Sequence, residues 1–254
     1  MIADAHIHIK KLLEYDRKSL DFINENDYYA LCSCSSADDY NETLKIAGQK
    51  NRTEKKLFIS YGIHPFNTDL KELDFLESLA KEKKIDALGE IGLDRYTPEL
   101  KENMDKQKKV FDLQLDIAVR YGFPVVLHVR KAVEELFSFS EKLSQIPAVI
   151  FHSYSGTHLE AQYILNKKIN GFFSFGTPVI NGNKKAVNAL RNISLDRLLV
   201  ETDAPYQPVK GEKYSAASDI IRVISSASAV KGAETSFFRS KVWDNFQKIL
   251  TKEP

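Results

Sequence analysis

The sequence predicts one α/β domain over residues 1–254, a (β/α)8 barrel of the TIM type. Eight short runs with strand character alternate with helical patterns along the chain. No linker, low-complexity tract or shift in composition divides the 254 residues. Several strand-like runs carry His, Asp or Glu at their C-terminal ends, which in this fold converge on the active-site mouth.

The first half of the chain supplies four strand–helix pairs. The predicted strands are residues 2–5, 28–34, 57–62 and 85–92, and the predicted helices are residues 15–25, 36–49, 70–79 and 100–121. Leu20 and Ile23 lie on one face of the first helix, and Asp38 is positioned to cap the second. Leu76 and Leu79 repeat at a helical spacing in the third.

The second half repeats this alternation. The predicted strands are residues 124–129, 148–152, 171–175 and 198–203, and the predicted helices are residues 132–143, 158–166, 184–192, 218–230 and 235–250. The run from Pro124 to Val129 is short and apolar, which is typical of a parallel strand that is buried on both faces. Four more strand–helix pairs and one further helix complete the barrel.

Composition and charge restrict the class of protein. A hydrophobic content of 43% and a charged content of 28% are those of an ordinary globular chain. The net charge of +1 gives no global basic field, so any polyanion must be bound by a local arrangement. Cys32 and Cys34 lie too close together to form a disulfide easily, which indicates a reducing compartment. With no signal-like start and no run of about 20 apolar residues, we expect a cytoplasmic protein without membrane contact. We also expect the protein to be a monomer.

Metal-binding side chains are concentrated at the strand ends. They are His6 and His8 on the first strand, His64 just after the third, Glu90 on the fourth, His128 on the fifth, His152 on the sixth and Asp203 on the eighth. Five of the six histidines therefore fall on one rim of the predicted barrel. His6 and His8 point to the same side of a strand, about 7 Å apart along the backbone.

These side chains divide into two ligand groups. One predicted metal site consists of His6, His8, Glu90 and Asp203, and the second consists of Glu90, His128 and His152, with Glu90 as the bridge. Imidazole with carboxylate suits Zn, Mn, Fe or Co, whereas Mg prefers oxygen ligands and water. Two divalent ions (Mg, Mn or Zn) about 4 Å apart would hold a phosphoryl or acyl centre and activate a water.

Each residue also has a simpler explanation when it is taken alone. A His-x-His pair can make ordinary buried hydrogen bonds, and a buried carboxylate such as Glu90 can pair with Arg or Lys. Asp203 follows Glu201 and Thr202 and precedes Ala204-Pro205, a segment that could be a turn and a helix cap. The common position of all six at strand ends favours the metal interpretation over these alternatives.

The motifs together resemble those of the TatD-type metal-dependent deoxyribonucleases, a family of amidohydrolase-like barrels. The matching stretches are Asp4-Ala5-His6-Ile7-His8, Gly62-Ile63-His64-Pro65, Gly89-Glu90-Ile91-Gly92-Leu93-Asp94, Pro124-Val125-Val126-Leu127-His128-Val129-Arg130, His152-Ser153-Tyr154-Ser155-Gly156 and Glu201-Thr202-Asp203-Ala204-Pro205-Tyr206. They occur in the family's order and span nearly the whole chain. The resemblance implies a two-metal phosphodiesterase that trims single-stranded DNA from its 3′ end, with the metal ligands at His6, His8, Glu90, His128, His152 and Asp203.

Roles follow for the residues of this site as hypotheses. Asp203 accepts a proton from the activated water, Glu90 bridges the metals, and His64 binds the scissile phosphate or protonates the leaving oxygen. Arg130 holds a phosphate oxygen, or instead forms an ion pair with Asp94 or Glu201. Bases could stack on Tyr154, Tyr206 or Phe66, each of which could equally be simple packing. Glu201 could orient a metal-bound histidine.

The chain departs from the family pattern at the predicted mouth. Ile9 and Lys10 follow His8 where the family commonly has Leu and Asp, Lys131 replaces a usual acidic residue, and residues 209–214 lack an Asn-x-Pro. None of these is a predicted metal ligand, so they bear on the substrate. The alternative function is an amide or ester hydrolase on the same barrel, such as a deacylase of amino-acid derivatives or of charged tRNA. A third is a metal-stabilised binding protein without turnover.

Overall fold

The computed structural model describes residues 1–48 and 55–250. Its strands are β1 (Ile2–Ile7), β2 (Tyr28–Cys34), β3 (Leu57–Tyr61), β4 (Ala87–Asp94), β5 (Val125–Arg130), β6 (Val149–Phe151), β7 (Gly171–Phe175) and β8 (Leu198–Val200). Its α-helices are α1 (Ile9–Tyr15), α2 (Lys18–Glu25), α3 (Ala37–Ala47), α4 (Leu73–Lys81), α5 (Pro98–Glu102), α6 (Met104–Tyr121), α7 (Val133–Leu136), α8 (Ser140–Gln145), α9 (His158–Asn166), α10 (Lys184–Asn192), α11 (Asp219–Lys231) and α12 (Thr235–Leu250). Over these residues no helix is both long enough and apolar enough to cross a bilayer.

The strands form one parallel sheet in which each pairs with the next, in the order β1 to β8. The sheet returns to its start through backbone hydrogen bonds just past the strand ends. Asp203 N donates to His6 O at 3.0 Å, and His8 N donates to Ala204 O at 2.9 Å. The α/β TIM-barrel fold that the sequence predicts is therefore confirmed, and its closing seam runs between two of the predicted ligand segments.

The apolar strands are explained by burial on both faces. Every residue of β4 and of β7 is buried, because the barrel interior covers one face and the surrounding helices cover the other. Among the polar residues that are buried here, Glu90, His152 and Asp203 lie at the C-terminal rim. The rim is thus the part of the barrel where polar side chains replace the packed apolar layers.

Local capping decides where several helices begin. Thr157 Oγ1 accepts from Glu160 N at 3.1 Å, and Thr157 N donates to Glu160 Oε2 at 2.6 Å, a capping box that starts α9. At α3 the cap is Ser36, whose Oγ accepts from Asp39 N at 3.2 Å. The prediction that Asp38 caps this helix is therefore wrong, because Asp38 lies inside its first turn. Residue 49, the predicted end of this helix, lies outside the described residues.

Three helical regions differ from the periodicity-based prediction. The chain forms α1 immediately after His8, a helix that was not predicted. The predicted helix over residues 100–121 is two helices, because the chain leaves α5 and starts α6 at Asn103. The predicted helix over residues 132–143 is α7, a 3-10 turn (Phe137–Phe139) and α8. Short breaks of this kind leave the hydrophobic period almost unchanged, so the sequence pattern does not show them.

Candidate metal centre

His6 and His8 converge although only His6 lies within a strand. His6 is in β1, whereas His8 caps the start of α1, and their Nε2 atoms lie 3.1 Å apart. Asp203 joins them from the segment after β8, with Oδ1 3.6 Å from His6 Nε2 and 3.5 Å from His8 Nε2. The backbone of Asp203 is left-handed, with φ of 55°. Residues other than Gly rarely adopt this conformation, and those that do are concentrated at functional sites.

Glu90 lies at the centre of the site and is 6% exposed. Its Oε2 is 3.4 Å from His6 Nε2 and 3.9 Å from His8 Nε2. Its Oε1 faces the other histidines, at 2.7 Å from His128 Nδ1, 2.9 Å from His152 Nε2 and 3.5 Å from His64 Nε2. The two oxygens of one carboxylate therefore face two different sets of imidazoles, which is the geometry a bridging ligand needs.

Three groups of possible ligand atoms occur among the described residues. They are His6 with His8 and Asp203, His6 with Glu90 and His152, and His64 with Glu90 and His128, each with its atoms within 4.8 Å of one another. The structure thus brings together all six predicted ligands. His64, a predicted substrate contact, also belongs to one of these groups. His152 lies nearer to His6 than the predicted division into two sites implies.

Electrostatic coupling within the cluster is strong. Burial raises the pKa of Glu90, but the charges of His152 and His64 outweigh it, so the pKa lies well below its ordinary value. Burial lowers the pKa of His152, but the charges of Glu90 and Glu201 raise it well above its usual range. For His6, burial and the charge of His152 lower the pKa. Glu90 therefore stays ionised among these histidines.

The donor set fits divalent ions. Imidazole nitrogens and carboxylate oxygens, most of them buried, converge from β1, β4 and β5 and from the segments after β1, β3, β6 and β8. Buried carboxylates this close repel one another, and closely packed imidazoles compete for protons, unless a cation or added protons compensate. Nitrogen with oxygen ligation suits Zn or Mn better than Mg.

Two further carboxylates, those of Glu201 and Asp94, contact the ring nitrogens of His152 and His128. Glu201 Oε1 lies 3.2 Å from His152 Nδ1 and accepts from Ser153 N at 2.7 Å, which is the orienting role expected for Glu201. Asp94 Oδ2 lies 2.7 Å from His128 Nε2, a contact that the sequence reasoning missed. Residues 90 and 94 are an even number apart on one strand and therefore share a face. This shared face is the sequence feature that indicates a place for Asp94 beside the metal centre.

Asp4 joins β1 to the segment after β8, where the barrel closes. It accepts from Tyr28 Oη at 2.7 Å, Thr202 Oγ1 at 2.7 Å and Thr202 N at 3.0 Å. Burial raises its pKa to about 7, although these hydrogen bonds lower it. Asp4 thereby fixes β1 against the segment that carries Asp203. The sequence pattern does not predict this role for Asp4.

The predicted substrate contacts differ in how far their side chains are exposed. Tyr206 is 49% exposed and packs its ring edge-on to His8, and Phe66 is 62% exposed beside His64. Arg130 is exposed and stacks on Tyr96, with its guanidinium carbon 3.4 Å from the ring centroid, rather than pairing with Asp94 or Glu201.

Tyr154 has no free face for a base. It is 6% exposed, packs against Phe173 and donates its hydroxyl to Thr157 O at 2.8 Å. Its ring lies over Gly156, where an added Cβ would be 2.3 Å from the Tyr154 hydroxyl. Of the two alternatives for Tyr154, these contacts favour packing over base stacking, because the absence of a side chain at Gly156 lets the ring turn inward.

A family comparison agrees with this geometry. The family model described as TatD related DNase matches residues 3–251. The chain belongs to the TatD family. It is 28% identical over 265 residues to an uncharacterized metal-dependent hydrolase of Escherichia coli K12, YcfH, covering 98% of this chain and 95% of that protein. TatD proteins are thus relatives along nearly the whole chain.

Two further TatD relatives complete the comparison. Human TATDN2, named a 3′-5′ RNA nuclease, is 34% identical over 154 residues, which is 58% of this chain and 20% of that protein. The crystal structure of YJJV, a TatD homolog from Escherichia coli K12, superposes with a TM-score of 0.87 at 20% identity, covering 99% of this chain and 98% of that one. At that identity the likeness shows the fold. The family match over residues 3–251 and the full-length likeness to YcfH identify the chain as a metal-dependent hydrolase of the TatD family.

Proposed function

We propose that this TatD-family hydrolase is a phosphodiesterase that removes nucleotides from the 3′ end of single-stranded DNA with two divalent ions. The observation that carries the proposal is the position of Glu90, whose two oxygens face separate groups of histidines. Family membership supports hydrolysis, and the 3′-5′ RNA nuclease activity for which TATDN2 is named supports a nucleic-acid substrate.

The ligand groups would divide as follows. His6, His8 and Asp203 would hold one ion, His128 and His152 would hold the other, and Glu90 would contact both. Such ions lower the pKa of a water and offset the charge that develops on phosphoryl oxygens. Zn and Mn fit the nitrogen-rich donor set best, and Mg is the third candidate.

The remaining chemistry is assigned to side chains of the chain itself. Burial raises the pKa of Asp203, but its hydrogen bond with His8 and nearby histidine charges bring it below its ordinary value. Asp203 is therefore ionised and can accept the proton of the attacking water. His64, whose side chain is 19% exposed at the mouth, can hold a phosphate oxygen or protonate the leaving oxygen.

Substrate recognition is assigned to the exposed rim. Arg130 can bind a phosphate oxygen through its guanidinium, and the exposed rings of Tyr206 and Phe66 can stack on bases. A monomeric state and a cytoplasmic location remain predictions of this proposal, and light scattering on the purified chain tests the first.

The test is a direct assay with separately labelled strands. Purified protein with Mg²⁺, Mn²⁺ or Zn²⁺ is offered single-stranded DNA carrying the label at its 5′ or 3′ end, the matching RNA, and a panel of acyl-amino acids. We expect a ladder of shortened 5′-labelled DNA and early release of the 3′ label. Asp203→Asn should remove the activity, whereas Asp196→Asn, an exposed aspartate ahead of β8, should retain it.

Each other outcome contradicts a stated part of the proposal. Shortening of RNA but not of DNA would move the substrate to RNA. Release of the 5′ label first would reverse the direction. Acyl cleavage without nucleotide release would replace the nuclease with the amide or ester hydrolase.

A further inference from the structure

We propose that Tyr96, Arg130 and Lys131 form a subsite, the Tyr96 platform, that binds a second nucleotide beside the scissile one. The inference rests on the proposed function, because it identifies the substrate as a strand of at least two nucleotides. The Tyr96 platform contains none of the predicted metal ligands.

Two cations share one exposed ring in this platform. The Arg130 guanidinium carbon lies 3.4 Å from the centroid of the Tyr96 ring, and Lys131 Nζ lies 4.7 Å from it. Tyr96 is 48% exposed, and Arg130 and Lys131 are both exposed. Within residues 1–48 and 55–250, neither cation has a carboxylate oxygen within 4.0 Å. Two cations that lie over one ring without a carboxylate partner can bind the phosphates of a polyanion.

The platform is connected to the metal centre through Asp94. Asp94 Oδ1 accepts from Tyr96 N at 2.6 Å, while its Oδ2 contacts His128 Nε2 at 2.7 Å. Arg95 N donates to Arg130 O at 2.9 Å, which joins the ends of β4 and β5. One carboxylate therefore holds both a predicted metal ligand and the backbone of the stacking residue, so the two sites keep a fixed separation.

The position along β5 suits the nucleotide next to the reacting phosphate. Arg130 follows His128 by two residues on the same strand, so the two lie roughly 7 Å apart along the backbone. Arg95, the other nearby cation, is already paired with Glu135 and is not available for a phosphate. Lys131 has a left-handed backbone with φ of 54°, which turns the chain at the strand end beside the ring.

Aromatic and guanidinium planes recognise nucleic acid in a known way. Bases stack on such planes without regard to sequence, and alanine substitution of a stacking residue costs about 1–3 kcal/mol per base. At 1.4 kcal/mol for each factor of ten, that is about 5- to 100-fold in affinity. Each Lys or Arg bound to a single-strand phosphate adds about 0.7 to the slope of log K against log salt concentration.

The experiment measures binding by fluorescence anisotropy, with Asp203→Asn as the parent so that turnover does not remove the probe. The probes are 5′-labelled pentathymidylate and labelled thymidine monophosphate, in the presence of Mn²⁺. We expect Tyr96→Ala to weaken pentathymidylate binding about 5- to 100-fold and to change monophosphate binding less than twofold. Tyr96→Phe should bind like the parent, because the ring is retained.

A matched control is available on α9. Tyr163 is also an exposed tyrosine, with Lys167 Nζ 5.2 Å from its ring centroid, and Tyr163→Ala should bind like the parent. Lys131→Ala should lower the salt slope by about 0.7. Unchanged pentathymidylate binding in Tyr96→Ala, or an equal loss in Tyr163→Ala, would overturn the inference.

A second assay separates this inference from the proposed function. Hydrolysis of bis(p-nitrophenyl) phosphate by the wild-type protein tests phosphodiester chemistry without a second nucleotide. Hydrolysis with normal pentathymidylate binding by Tyr96→Ala would reject the platform alone. Ring-dependent binding without any diester hydrolysis would reject the phosphodiesterase alone.

Discussion

Gln207 Nε2 donates a hydrogen bond of 2.5 Å to Oδ2 of Asp203, the oxygen that does not face the histidines. Gln207 Nε2 also lies 2.8 Å from Ser153 Oγ, and the backbone carbonyl of Gln207 accepts from Thr177 Oγ1. With Oδ2 occupied in this way, Oδ1 remains directed at His6 and His8. Gln207 is therefore a positioning residue that decides which Asp203 oxygen is offered to an ion.

Replacing Gln207 tests this relationship. Gln207→Leu keeps the approximate size of the side chain but removes the amide, so we expect metal affinity or kcat to fall about 10- to 100-fold. Titration calorimetry with Mn²⁺ and the diester assay measure the two quantities. Gln145→Leu is the matched control, because the exposed Gln145 amide donates to Glu141 O within its own helix, away from the metal centre. Equal metal affinity and kcat in Gln207→Leu and the wild type would contradict the positioning role.

Glu201 offers a second test, through the orientation of His152. Glu201→Gln keeps an oxygen for Ser153 N but places a donor at Oε2, which is buried and has no partner among the described residues. We expect the metal Kd to rise about tenfold, because the histidine loses its charged partner. The free energy of unfolding should fall by about 1–3 kcal/mol, because the new donor is unsatisfied. A loss of stability with unchanged metal Kd would show a purely structural role.

The backbone of β4 beside the site should tolerate no side chain at Gly92. Gly92 has φ of 145°, and an added Cβ would lie 2.0 Å from the backbone oxygen of His128. We expect Gly92→Ala to lower the free energy of unfolding by more than about 3 kcal/mol, because β4 and β5 must separate. Urea unfolding measures this.

The control for Gly92 is another glycine with a left-handed backbone. Gly182 has φ of 71° and open space around its Cβ position, so Gly182→Ala should cost only the backbone strain, about 1–3 kcal/mol. Equal unfolding midpoints for the two variants would show that contact with β5 is not what excludes a side chain at Gly92.

The convergence of the ligands was predictable from the sequence because it follows from topology. Parallel strands in a barrel all present their C-terminal ends at one rim, so His6, Glu90 and His152 needed only correct strand assignments to be predicted as neighbours. His8 reaches the site from the start of α1 instead of from the strand, so its conformation did not follow from strand alternation.

The rim loops were much less predictable, because no hydrophobic period fixes their path. Tyr154 and Tyr206 looked equivalent in the sequence, yet one is buried over Gly156 and the other is exposed beside His8. The stacking of Arg130 on Tyr96 likewise depends on how the ends of β4 and β5 turn. Side-chain partners in loops follow from backbone geometry, and the sequence pattern alone does not determine that geometry.

The number of bound ions tests the central claim most directly. After dialysis against Mn²⁺ or Zn²⁺, elemental analysis of the wild-type protein should give two ions per chain. Glu90→Gln should weaken the binding of both ions by more than about tenfold, because the Glu90 oxygens face both histidine groups. Glu102→Gln, an exposed glutamate on α5, should keep two. One ion or none in the wild type, or two ions with unchanged affinity in Glu90→Gln, would contradict the account.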